Sequence, residues 1–373
     1  TLEKNADIFR NIGLCLDDGE DRCTIELNEQ TIKDISGILE NLRKIEGFQT
    51  DSRKKRGCKM VKEQLSTFTH PGDYLCWMEV DRGNGMLSLC GIPTAMRGNL
   101  NRNLWSMPNT HWVLTSGTMK DDTGFRYFKH ELGISGNIPE GATLEHSNGS
   151  PFDYKNHTRL YISENVPFPD MDDPEYIQAV CDEIVKLVHA TRGHTAILFT
   201  SYRMLRMVYE KVKKRLLDYR LIQMTRSDKT AIGQFKREKN SVLFASGSMW
   251  EGVDCAGDVL SSVIIVRLPF PLRSQLMEYK KTQYDTVREF VQECAIPQMI
   301  IKLRQGAGRL IRTENDTGVI AILDSRAAKN GPYRERVLTA LSQYPLTPSI
   351  YGVEQFISAV KGTEYLEGGR ASA

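Results

Sequence analysis

The sequence predicts an α/β fold: a parallel sheet with helices on both faces. Two observations carry that expectation. Short, continuous apolar runs recur at Thr195–Thr200, Ser241–Ala245, Val263–Val266 and Val319–Leu323. Such runs fit strands buried on both faces, as parallel strands are. Between them lie stretches of helical period. In 173–190, Ile177, Val180, Cys181, Ile184, Leu187 and Val188 share one face, and 203–217 reads as a second helix. Strands alternating with helices need crossover connections, and the crossovers cover a parallel sheet on both sides.

The chain reads as four segments: 1–68, 69–148, 149–362 and a tail, 363–373. In the first, Ile32, Ile35, Ile38, Leu39 and Leu42 recur at helical spacing behind a cap at Asn28 or Thr31. Met60, Val61, Leu65 and Phe68 suggest a second helix, and Asp51–Gly57 between them reads as a basic loop. A basic run is ordinarily a solvated loop; contact with a nucleic-acid backbone is the sharper alternative. His70–Asp73 reads as a turn. Tyr74–Val80 and Met86–Cys90 read as strands joined through the turn-rich Asp81–Gly85. His111–Thr115 reads as a short strand running into Ser116-Gly117-Thr118. Gly133 to Thr158, rich in Gly, Asn, Ser and Pro, reads as a linker. Leu160–Ile162 and Leu221–Gln223 complete the strands expected of the third segment.

Bulk numbers exclude some classes. The chain has 373 residues, 40% hydrophobic and 26% charged, which suits a globular protein of two or three domains. A net charge of +2 announces no global attraction to polyanions, so any nucleic-acid surface must be local. No apolar run reaches the roughly 18–20 residues needed to span a bilayer. The polar first residues give no signal peptide, and the lack of an initiator Met suggests an excised segment. Eight cysteines are scattered without any C-x-x-C, as free thiols in a reducing cytosol would be.

The most specific stretch is Gln305-Gly306-Ala307-Gly308-Arg309-Leu310-Ile311-Arg312. Read as a helix from Pro297 onward, it puts Gln305, Gly308, Arg309 and Arg312 on one face. Ile300, Ile301, Leu303, Leu310 and Ile311 cover the buried remainder. Each glycine costs such a helix roughly 1 kcal/mol relative to alanine, which makes sense if something comes very close to the backbone. Two arginines one turn apart can grip a polyanion with planar forks. The stretch resembles motif VI of superfamily 2 helicases, in the form typical of DinG/XPD-like DNA helicases. The resemblance implies a RecA-like domain, arginine-finger roles for Arg309 and Arg312 toward ATP, a nucleotide-sensing role for Gln305, and nucleotide contact at Gly308. It also implies that 1–68 is the remnant of a helical arch and that 69–148 is a piece of a first RecA-like domain.

Other stretches fit the same resemblance. Ser116-Gly117-Thr118 resembles motif III, with Gly117 in place of the usual alanine, and implies coupling through Ser116 and Thr118. Thr200-Ser201-Tyr202 resembles motif IV. Ser201 and Tyr202 would meet phosphate or stack on a base, or else serve as a helix cap and a packed tyrosine. Thr225 is a weaker DNA contact. Ser246-Gly247-Ser248 with Trp250-Glu251-Gly252-Val253-Asp254 resembles motif V. The small residues Ser246, Gly247 and Ser248 would free backbone amides for a DNA phosphate. Asp254 would accept from the ribose of ATP, and Glu251 would hold a motif VI arginine or couple the two ligands.

No G-x-x-x-x-G-K-[ST] occurs, and Asp182-Glu183 falls within an amphipathic helix rather than at a strand end. The chain therefore carries one wall of an ATP site. ATP and Mg2+ would be held mainly by an upstream half. No spacing here supplies the iron–sulfur cluster that some relatives carry. The resemblance implies a cytoplasmic, monomeric DNA repair or replication helicase moving 5′→3′ on single-stranded DNA, with this segment inactive alone. The alternatives are a non-hydrolysing nucleic-acid or partner-binding module, and a helicase acting on RNA or a CRISPR-associated substrate.

Overall fold

A computed structural model describes residues 22–69, 72–81, 86–136, 138–139, 141–224, 230–250 and 254–367. Its described residues form two compact units. One holds the chain up to Val113, with Lys129–Thr143 and Leu272–Phe290. The other holds Leu114–Phe128, Leu144–Pro271 and the chain from Val291 onward.

The first unit is a three-stranded antiparallel sheet with a helical hairpin. Its strands, β1 (Arg22–Glu26), β2 (Tyr74–Asp81) and β3 (Met86–Pro93), lie in the order β1-β2-β3. The β2–β3 pair is the expected hairpin, in register from Tyr74↔Pro93 to Asp81↔Met86. Strand β1 was not legible in its five mixed residues. Helix α1 (Glu29–Phe48) starts where Asn28 accepts from the Thr31 amide. Helix α2 (Ser52–Ser66) starts at Asp51, which accepts from the Arg53 amide at 2.8 Å. The basic run is therefore helix, not loop: the Asp51 cap satisfies an orphan amide, and Arg and Lys are good helix formers. Ile35, Ile38, Leu39, Leu65 and Phe68 form the small core beneath the hairpin.

The second unit is built on a seven-stranded, wholly parallel sheet in the order β10-β4-β9-β8-β5-β7-β6. Its strands are β4 (Thr158–Ile162), β5 (Thr195–Phe199), β6 (Leu221–Gln223), β7 (Val242–Ser246), β8 (Ser262–Ile265), β9 (Gly318–Ile322) and the short edge strand β10 (Leu346–Thr347). Alternate side chains feed two cores. On one face Ala196, Leu198, Leu243, Ala245, Val263 and Ile265 pack under α6 (Ile296–Ala307) and α7 (Arg334–Ala340). On the other, Ile197, Phe199, Phe244 and Ile264 pack under α3 (Pro174–Ala190), α4 (Tyr202–Val212) and α8 (Ile350–Val360). A smaller helix, α5 (Ala231–Arg237), places Phe235 in the first of these cores. This is the α/β architecture that the apolar runs require.

One expected strand is absent. His111–Thr115 forms no strand pairing among the described residues, and Val113 is 89% exposed. Apolar periodicity marked a segment suited to a sheet, but a strand exists only with a neighbour to complete its hydrogen bonds. Glu183, on the buried face midway along α3, accepts from Tyr161 Oη at 2.7 Å and Ser163 Oγ at 2.9 Å. Asp182-Glu183 is thus a structural part of a helix, as read.

Candidate functional site

The carboxyl ends of β5, β7 and β8 open toward the start of one loop system, the place where α/β sheets bind ligands. Trp250 organises it. Its ring is 1% exposed, and its Nε1 donates to Phe199 O, the last residue of β5, at 3.0 Å. Against the ring lies Gly306: a Cβ there would stand 2.8 Å from the indole. This close approach explains the glycine inside α6. The neighbour that must come near the backbone is a side chain of the 246–254 stretch, so the two most specific stretches of the sequence are packed into each other.

The helix itself ends earlier than the spacing implies. Helix α6 stops at Ala307, with Gly308 as its C-cap. Arg309 and Arg312 therefore leave the helix in a turn rather than lying along its face. Ile300, Leu303, Leu310 and Ile311 are buried as expected, while Ile301 is half-buried. Gly308 has no other role in the packing, since its own turn is the nearest neighbour of a Cβ built there. Gly308 keeps φ −66° and ψ −2°, so no left-handed glycine cap ends the helix; a Gly-x-Gly run simply propagates it poorly.

Asp316 holds the resulting turn. Its carboxylate accepts from the Arg312 amide at 2.7 Å, the Thr313 amide at 2.8 Å, Thr313 Oγ1 at 2.8 Å and the Gly257 amide at 2.9 Å. Burial alone would raise the Asp316 pKa, but hydrogen bonds from Thr313, Arg312 and Gly257 outweigh it and hold the carboxyl below its ordinary value. One carboxylate thus ties the arginine turn to the loop after Asp254.

The predicted site residues fall into place unequally. Arg312 Nε stands 3.6 Å from Asp254 Oδ1, whose side chain is 74% exposed. Arg309 Nε donates to Gln305 O at 3.1 Å, and Gln305 Nε2 reaches Thr118 Oγ1 at 3.4 Å. Ser116 Oγ accepts from the Thr118 amide at 3.2 Å. Gln305, Arg309, Ser116 and Thr118 are therefore one linked group, and Arg312 with Asp254 is a second.

The residues expected to face DNA are more mixed. Ser201 caps α4, accepting from the Met204 amide at 3.3 Å. Tyr202 is half-buried, its hydroxyl 3.3 Å from where a Cβ on Gly247 would be. Gly247 has φ +67°, a conformation that favours glycine. Ser246 is the last residue of β7 and only 4% exposed. Thr225 and Glu251 lie outside the described residues, as does the Ser248 side chain.

Sequence reasoning missed Arg304. It sits on α6 one residue before Gln305, and its Nη1 donates to Lys120 O at 2.7 Å and Asp121 O at 3.0 Å. Its Nε donates to Ala340 O at 3.0 Å. Arg336 forms a bidentate pair with Asp122. These contacts strap the 116–122 turn to the helix that carries Gln305. Among the described residues no group of three or more His, Cys, Asp or Glu side chains is placed to hold a metal ion. No described helix is long and apolar enough to cross a membrane.

Residues 184–344 match the helicase C-terminal domain family. The chain is 30% identical over 301 residues to the ATP-dependent DNA helicase YoaA of Escherichia coli (strain K12), a match covering 79% of this chain and 45% of that protein. It is 28% identical over 286 residues to the 3'-5' exonuclease DinG of Bacillus subtilis (strain 168), covering 74% of this chain and 30% of that protein. A solved structure of apo XPD is similar in fold, with a TM-score of 0.60 and 17% identity over 92% of this chain and 68% of that one. The chain thus spans less than half the length of these curated relatives. Residues 184–344 are thus a helicase C-terminal domain, in a chain that is similar to the DinG-like helicases over most of its length and shares its fold with XPD.

Proposed function

We propose that this chain is the C-terminal motor half of an ATP-dependent DNA helicase, which in the intact protein couples ATP hydrolysis to movement on single-stranded DNA. The observation that carries this reading is the two linked groups Thr118–Gln305–Arg309 and Arg312–Asp254, on and after the helix that Trp250 meets at Gly306. Two arginines held by a fixed turn suit the charge that spreads over a phosphoryl group in transfer. Asp254, exposed beside Arg312, suits a ribose hydroxyl. Gln305 joins the nucleotide side to the Ser116–Thr118 turn, a route by which nucleotide state would reach the DNA side at Ser201, Tyr202 and the 246–248 turn. The phosphate cradle and the magnesium ligands belong, in this reading, to a longer protein, as the length of the relatives supports. The same proposal includes 5′→3′ movement, a monomer and a cytoplasmic setting.

The test uses the intact protein. Arg309→Ala or Arg312→Ala should lower kcat for DNA-stimulated ATP hydrolysis by roughly 10³-fold, the scale of a lost arginine finger, with a much smaller change in ATP affinity. Near-normal turnover in both variants would make the arginines structural and remove this reading of the site.

A further inference from the structure

The helical hairpin of the first unit carries a surface that the motor site does not use. Its buried contacts are confined to one end: Thr31, Ile35, Ile38 and Leu39 in α1, and Leu65 in α2. The other end, where α1 hands over to α2, buries nothing and presents Phe48, 88% exposed. Arg53, Lys54, Lys55 and Arg56 follow at once, all exposed. Nearby charges are neutralised locally, as in Lys44–Glu40, Lys62–Glu46 and Lys59–Glu63. The 53–56 run forms no ion pair among the described residues. It also sits in the first turn of α2, where the helix dipole and mutual repulsion both disfavour cations. Packing does not account for this concentration, and helix propensity alone would be met equally by uncharged formers such as Gln, in a chain whose net charge is only +2.

We propose that this hairpin end binds single-stranded nucleic acid, with Arg53, Lys54, Lys55 and Arg56 on phosphates and a base stacked on Phe48. An exposed aromatic ring beside a row of cations is the combination that grips single strands without reading their sequence. The proposal rests on the helicase reading, since it places a second strand contact on the unit that lacks the 246–254 and 305–312 stretches. An acidic protein would meet the same charges without an isolated ring; an anionic membrane would meet both, and the vesicle arm of the test separates it.

The test is fluorescence anisotropy of the full 373-residue chain with a labelled oligo-dT strand, titrated over a range of salt. The quadruple variant R53Q/K54Q/K55Q/R56Q keeps helix propensity and removes repulsion, so it should fold. Its affinity should fall about ten-fold or more, and its salt slope should shrink by roughly 3, at about 0.7 per single-strand phosphate contact. Phe48→Ala should weaken oligo-dT binding about five-fold or more and leave an abasic strand of equal length unaffected. An unchanged affinity and slope in the quadruple variant overturns the proposal. So does a wild-type chain that ignores oligo-dT yet binds anionic phospholipid vesicles through the same residues. Arg309→Ala in the intact protein separates the two readings: loss of ATPase there, beside unaltered strand affinity in the quadruple variant, removes this surface and leaves the helicase assignment standing.

Discussion

Two polar groups of the second unit, the cluster around His194 and the turn that carries the arginines, use their residues in opposite ways. At the amino ends of the strands, His194 Nε2 meets Asn240 Oδ1 at 2.7 Å, Lys361 Nζ reaches Asp258 Oδ1 at 2.6 Å and Thr317 O at 2.8 Å, and Tyr365 Oη donates to Thr191 O at 2.7 Å. The His194 and Tyr365 rings stack at 4.2 Å, and His194, Asn240, Lys361 and Tyr365 are all buried. In the turn that carries Arg309 and Arg312, ahead of β9, the backbone is held just as firmly, by Asp316 at 2.7–2.9 Å. The side chains are not: Gln305 meets Thr118 at 3.4 Å and Arg312 meets Asp254 at 3.6 Å. Short contacts between buried partners lock a fold. A fixed backbone carrying long side-chain contacts leaves the side chains able to exchange their protein partners for a ligand. The difference separates polar residues kept for stability from those kept for chemistry.

A pair of glycines gives the largest contrast. Gly193, at the amino end, has φ +81°, and a Cβ there would stand 2.4 Å from Asn240 O. Gly193→Ala should cost about 2–5 kcal/mol, backbone strain added to overpacking, and lower Tm. Any activity loss in the intact protein should follow unfolding. Gly306→Ala pits a gain of about 1 kcal/mol in helix propensity against an overpacking cost of about 1–3 kcal/mol at Trp250. Its Tm should change little, while kcat falls because the arginine turn is displaced. Thermal melts and steady-state ATPase on both variants check this. If Gly306→Ala lost only Tm, the two groups would not differ in kind.

Much of this was legible in the sequence. The continuous apolar runs gave the central strands to within a residue or two, because parallel strands buried on both faces leave no polar interruption. Gly306 was readable as a close approach, although the partner, Trp250, was not, since sequence spacing says nothing of contacts 56 positions apart. The exit of Arg309 and Arg312 from the helix was hidden because the i, i+4, i+7 spacing survives whether or not Gly308 caps. Asp51 turned a basic run into a helix, and the short edge strand β10 had too few residues to show a period. Arg304 carried no signal at all: its partners are main-chain carbonyls, which every residue possesses.

A smaller effect tests the coupling side. Thr118→Val removes the hydroxyl that Gln305 meets while keeping shape. One hydrogen bond of about 0.5–1.5 kcal/mol corresponds to roughly 2- to 10-fold in the DNA stimulation of ATPase by the intact protein. Gln305→Met should give a similar loss, and the double variant no more than either alone. Additive losses would mean that the two residues act separately and that the 3.4 Å contact carries no coupling.

The smallest effect is a pH dependence confined to the amino end. Burial lowers the His194 pKa below its ordinary 6.5; hydrogen bonds to Asn240 and the Asp258 backbone and the Asp258 charge oppose this, and Lys361 adds to it. The unfolded chain therefore binds the His194 proton more readily than the folded one. Its contribution to stability is fully present above 6.5 and is lost as pH falls through that value toward the lower folded pKa. Tm should accordingly decline between pH 7 and pH 5. His194→Gln keeps a donor for Asn240 and removes the titration, so its Tm should decline less over the same interval. The Asp316 carboxyl, held low, keeps its contribution above its ordinary 3.8 and loses it only in stronger acid. The arginine turn should thus stay anchored across the window in which the His194 cluster begins to loosen. Parallel pH profiles of Tm for the wild type and His194→Gln would break the comparison there, since the buried histidine would then play no part in how the amino end is held.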